Sequence, residues 1–342
     1  MKAWQADLAI IGAAAIWGMA FIFTRWSLED SSPALFLTCR FGLAMIVSIF
    51  IFGHKLAGLT KTTAKRGLVL GLLMGGGFLL QNYSVNFTEV PRAAFIASLT
   101  LPAIPLVSFI LFREKVKKHN LLGIIMALIG VFFLLDPSFE GVNSGDILAF
   151  LSVPLWALYL IYMNIFTKDL EGQTGQLLVL QFMGALPLTI LVALLFETGL
   201  WPPLHPDLGK GLTFTARFWM GLLYCALLAS IGVVFIQTAC QKYTTPVQAM
   251  LCFQFEPVTA AAGAWFFLGE TVGVIGVVGA IAIIMGVLTS EMGGLLDAGQ
   301  TNPPSRELGD LIATDRPPPK TTSPPAADSA PTSEESDKAP SD

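Results

Sequence analysis

Glu256 and Arg40 are ionisable residues set inside long apolar runs of this 342-residue chain, and they bound the chemistry it can do. Glu256 is followed at once by Pro257 in FQFEPVTAAAGAWFFLGE, residues 253–270. A carboxyl group in that setting binds a cationic group or exchanges a proton, because burial favours its neutral form. The bland alternative is a hydrogen bond between helices at a kink. Pro257 lacks an amide hydrogen and crowds the carbonyl of Phe253, which frees backbone acceptors one turn back. Pro102 punctuates an earlier apolar run, and both prolines are expected hinges. Arg40 can hold a substrate carboxylate through two parallel hydrogen bonds. It can equally extend to lipid headgroups or pair with Glu256.

Around these two lie amides and aromatic rings: Gln81, Asn82, Gln181, Gln237 and Gln254, with Trp17, Trp156 and Tyr159. In apolar helices such amides more often bridge neighbours, for about 1 kcal/mol, than touch a ligand. Aromatic rings near helix ends are usually interfacial anchors; Trp17 and Trp156 lie deeper and are candidate cavity walls. Enzymatic chemistry has little to build on. His54, His119 and His205 all fall in predicted loops, and HExxH, Walker A and GxSxG patterns are missing. Cys39, Cys225, Cys240 and Cys252 sit in apolar runs without metal spacing, as small hydrophobes. No metal, cofactor or nucleic acid is expected.

The elements that position these residues follow from composition. Residues are 54 % hydrophobic and 13 % charged, against roughly 25 % charged in soluble domains. A helix needs about 20 apolar residues to cross the hydrocarbon, and ten runs qualify: 6–24, 33–53, 67–86, 93–112, 120–136, 145–167, 175–196, 218–240, 247–267 and 272–290. Strand alternation is missing, so helices are expected. Lys2 and the first apolar run resemble a signal peptide without a persuasive cleavage site, which leaves a retained first span. With the N-terminus inside, eleven basic residues flank the spans on the cytoplasmic side and four on the other, which orients the chain. The region from Thr301 carries nine of the 21 prolines and reads as a disordered cytoplasmic tail.

The halves also match each other. TEVPRAAFIASLTLP (88–102) lies over YTTPVQAMLCFQFEP (243–257), pairing Pro102 with Pro257. Beyond it Arg113-Glu114 falls on Gly269-Glu270, Gly123 on Gly279 and Gly130 on Gly286. Asp7 and Trp17 pair with Asp146 and Trp156, and Arg40-Phe41 with Gln181-Phe182. The expected organisation is therefore two five-helix repeats, 1–137 and 138–293, followed by the tail 294–342. Five is odd, so the second repeat enters the membrane inverted, with a substrate site near the midplane between the two.

With Trp17-Gly18, Arg40-Phe41, AAFIASLT (93–100), Glu256-Pro257 and Gly269-Glu270, the chain resembles the ten-helix EamA-type transporters of the drug/metabolite superfamily over residues 5–290. Arg113 stands where that family usually has Gly. The resemblance implies a multi-pass permease of the cytoplasmic membrane that moves small metabolites, often outward and without ATP hydrolysis. A passive channel and an integral-membrane enzyme are the rival readings. Cargo, coupling ion (protons among the candidates) and oligomeric state are not written in the residues.

Overall fold

The chain, as a computed structural model, is described at residues 3–113, 117–134, 141–168, 173–198, 211–240, 252–253 and 255–298. It is an all-α membrane protein. The helices are α1 (Ala3–Asp30), α2 (Pro33–Phe52), α3 (Lys61–Phe87), α4 (Val90–Ala97), α5 (Thr100–Phe112), α6 (Lys118–Leu134), α7 (Ser144–Lys168) and α8 (Thr174–Phe196). They continue with α9 (Ala216–Leu223), a π-helix (Tyr224–Gly232) and α10 (Val233–Cys240), then α11 (Phe255–Leu268) and α12 (Val274–Ala298). Among the described residues seven helical stretches are long and apolar enough to cross a membrane, and α6 and part of α12 are shorter apolar helices. Outward-facing Phe50, Ile110, Phe266 and Val274 are all exposed, as side chains against lipid tails must be.

Local chemistry sets the helix ends. Pro33 opens α2, where its missing N–H costs nothing. The Thr60 and Thr215 hydroxyls accept from the amides of Thr63 and Phe218 and so cap α3 and α9. Pro102 cannot donate to the carbonyl of Ser98, and the expected span 93–112 is interrupted at Ser98 and Leu99. Leu101 donates to Ser98 instead, at 3.4 Å.

Two expectations shift. The span 218–240 is not uniformly α-helical, since nine residues widen into the π form. The last helix continues to Ala298, past the expected start of the tail at 294.

Backbones meet closely where side chains are small. A Cβ on Gly130 would stand 2.6 Å from the carbonyl of Gly279, and one on Gly286 would stand 2.6 Å from that of Gly123, so α6 and α12 cross in opposite directions. Gly71 meets Gly184 in the same manner, bringing α3 against α8. Gly18 lies on Ala260, which packs α1 along α11. Close helix approach of this kind is what small residues permit.

One end of the bundle is tied together by polar contacts across helices, here called the Asp30 end. Ser32 and Thr213 amides donate to the carbonyls of Gly211 and Asp30, at 3.1 and 2.8 Å. Both carboxylate oxygens of Glu197, beyond α8, accept from the first amides of α2, Ala34 and Leu35, at 2.9 Å each. The Tyr83 hydroxyl donates to the same group at 2.5 Å. Glu270 accepts from the Val90 amide at 2.8 Å, capping α4. Asp146 pairs with Arg92 at 2.7 Å and accepts from Thr88 at 2.8 Å.

A central cavity as the candidate functional site

The middle of the bundle encloses a cavity of about 130 Å³, far more than one water requires. Its walls come from helices of both sequence halves. On one side stand Trp17, Phe21 and Thr24 of α1, Arg40 of α2, Phe78, Gln81 and Asn82 of α3, and Ser98, Thr100 and Leu101 around the break. On the other stand Trp156 and Tyr159 of α7, Gln237 of α10, Phe253, and Glu256 and Pro257 of α11.

Aromatic edges and faces give the lining its shape. Trp17 stacks on Phe253 at 5.6 Å between centroids, and its indole N–H donates to the carbonyl of Ala229 at 2.7 Å. Phe78 meets Trp156 edge to face at 4.8 Å, and Trp156 meets Tyr159 the same way at 5.5 Å. Such contacts fix ring planes without consuming polar capacity.

The charged residues are arranged differently from either expected alternative. Arg40 is 1 % exposed, so it does not reach headgroups, and it forms no ion pair with Glu256. Its Nε donates to Ser230 Oγ at 2.9 Å, and its guanidinium lies over the Phe78 ring, 4.4 Å from the centroid. Glu256 keeps part of its surface open on the cavity. Its own carbonyl accepts from Thr259 at 3.0 Å.

Of the residues named from sequence, the cavity brings together Trp17, Arg40, Gln81, Asn82, Trp156, Tyr159, Gln237, Glu256 and Pro257. Gln181 is not among the lining residues: it accepts from the Tyr159 hydroxyl at 2.7 Å and donates to the Leu177 carbonyl. Pro102 shapes the break beside the cavity without lining it. Gln254 and Glu114 lie outside the described residues. Phe78, Phe253, Thr24 and Ser230 were not singled out. Apolar rings in an apolar helix carry no signal of their own, and Ser230 reaches Arg40 from within the π-helix, a register that residue spacing does not announce.

The Asp30 end carries the shifted carboxyl groups that lie beyond the spans. Burial pushes Glu197 above the ordinary carboxylate value, against the pull of Tyr83 and the Ala34 and Leu35 amides. Burial also raises Glu270, opposed by the Val90 amide. Among the described residues, no group of His, Cys, Asp and Glu is placed to hold a metal ion.

Comparison with known proteins gives consistent matches. The EamA-like transporter family matches residues 4–136 and again 143–291. An uncharacterized transporter of Archaeoglobus fulgidus is 24 % identical over 84 % of this chain and 86 % of its own length. A protein of Salmonella typhimurium, described as a probable amino-acid metabolite efflux pump, is 26 % identical over 81 % of this chain and 92 % of its own. One solved crystal structure, at 17 % identity and a TM-score of 0.57, covers 88 % of this chain and 100 % of that one, and shares its fold.

Proposed function

The chain belongs to the EamA-like transporter family, and from that premise we propose that it is a secondary transporter of small amphipathic metabolites, amino acids and related compounds foremost. In this reading it exports them across the cytoplasmic membrane, with both termini inside, by alternating access around the central cavity. The observation that carries the proposal is the cavity itself. It is built from both halves of the sequence and holds aromatic surface, amides and two ionisable groups that do not neutralise each other. The Salmonella relative described as a probable amino-acid metabolite efflux pump supports the substrate class.

Inverted repeats 1–137 and 138–293 supply the moving parts. Three features support that organisation. The glycines at the α6/α12 crossing contact one another reciprocally, Gly130 with Gly279 and Gly123 with Gly286, as a two-fold axis between equivalent helices requires. Those helices run in opposite directions. Arg113 and Gly269, paired by sequence, both end their helices in the left-handed region, with φ 57° and 69°. Glu256 is the carboxyl group placed to take a substrate ammonium or a coupling proton.

The test compares metabolite pools in cells with and without the protein, then measures transport of the top hits into vesicles under an imposed pH gradient. Accumulation against a concentration gradient is expected, and Glu256→Gln should flatten its pH dependence. Equilibration without accumulation would instead indicate a passive channel. An unchanged pH profile in Glu256→Gln would assign that side chain to helix packing.

A further inference from the structure

Arg40 leaves hydrogen-bonding capacity unused at the cavity. Its guanidinium is buried, and Nη2 has no acceptor among the described residues. No carboxylate among them stands in ion-pair contact with it. The Phe78 ring face and the Ser230 hydroxyl compensate the charge in part, but a desolvated cation of this kind calls for an anion.

Two neighbouring features point the same way. The π-helix sets Ser230 so that its hydroxyl donates to the Cys225 carbonyl, five residues back, at 2.8 Å, which turns its lone pairs towards Arg40 Nε. Wide turns of this kind gather at functional sites. Asn82, one turn beyond Phe78 on α3, is 3 % exposed and lines the same cavity, and its Nδ2 finds no acceptor.

We infer that Arg40 and Asn82, with Ser230 as the positioning residue, form a carboxylate subsite, so the cargo carries a carboxylate. A planar guanidinium whose Nη2 lacks an acceptor, beside an amide whose Nδ2 also lacks one, matches the two oxygens of that group. One cation among aromatic walls suits a single negative charge attached to an apolar body; a phosphate dianion would ask for more. The inference rests on the reading that cargo binds in this cavity.

The experiment uses the full-length protein in detergent and follows tryptophan fluorescence, since Trp17 and Trp156 line the cavity. The probes are leucine and phenylalanine, their amides, isopentylamine, phenethylamine and phenylacetate, with chloride as the anion control. Acids should bind about tenfold or more tighter than the amides and amines of the same side chain. Arg40→Gln should erase that preference, Arg40→Lys should retain part of it, and Ser230→Ala should weaken the acids alone. The inference is overturned if amides and amines bind as tightly as acids, or if no carboxylate binds saturably. It is equally overturned if chloride competes as well as a carboxylate, or if the variants weaken every probe alike. The acid-to-amide comparison is made on the unmodified chain, so it stands even where Arg40→Gln fails to fold. Counterflow of the same probes in proteoliposomes separates the two claims. Acid-selective binding without counterflow sinks transport and keeps the subsite, whereas counterflow of acids and amides alike does the reverse.

Discussion

A carboxylate at the start of a helix usually stays charged, since the exposed amides there stabilise it. Glu197 receives the Ala34 and Leu35 amides and the Tyr83 hydroxyl, yet at 4 % exposure its burial outweighs them. Its folded pKa is therefore above the unfolded one. The stabilisation it contributes is complete below the ordinary value of 4.5 and is lost as pH rises through the higher folded value. The thermal midpoint of the purified protein should fall across that window, and Glu197→Gln should remove this component of the slope. A variant whose slope matches the parent would contradict the assignment. At this scale the sequence was partly readable. Glu256, Arg40, Trp17 and Trp156 declared themselves because charge and indole rings are conspicuous in apolar helices. The clasp by Glu197 did not, because a carboxylate in a loop says nothing about which distant helix it will cap.

Helices reveal more of themselves, because proline and glycine act locally. The interruption before Pro102 follows from one missing amide hydrogen, and the internal match pairs Arg113 with Gly269, the two residues that share a positive φ at a helix end. Arg113 holds φ 57°, a region that disfavours any side chain with a Cβ. Arg113→Gly is expected to stabilise the protein by about 1 kcal/mol, measured as the midpoint of thermal or denaturant unfolding in detergent. A second pair of variants separates packing from propensity. A Cβ at Gly12 meets nothing within 4 Å, while one at Gly130 meets backbone on α12. Gly12→Ala should be neutral or stabilising by up to about 1 kcal/mol, and Gly130→Ala should destabilise. Equal effects would mean that the crossing tolerates separation. What residue spacing did not disclose was the π-helix, or that it would carry Ser230 to Arg40 across helices.

For the whole molecule, basic residues and span count predict that residues 54–66 and 113–119 face the same compartment. Cysteines introduced singly at His54 and Lys117, labelled with a membrane-impermeant maleimide in right-side-out and inverted vesicles, should react only in the inverted ones. Labelling from opposite faces would dismantle the span order on which the proposed inverted repeat depends. The all-helical membrane class was legible in the long apolar runs; the packing of α1 along α11 and α3 along α8 was not, since it arises from surfaces that meet only after folding.

The crossing of α6 and α12 has a bearing on ancestry. A contact made by like surfaces, each glycine meeting its counterpart's neighbour, needs no covalent bond to define it. If the proposed inverted repeat holds, it is the interface that two separate, oppositely inserted copies of a shorter polypeptide would form with each other. The chain joining them would then be a late convenience. Opening it between residues 137 and 138, and producing both fragments in one cell, should yield a complex that copurifies and still transports.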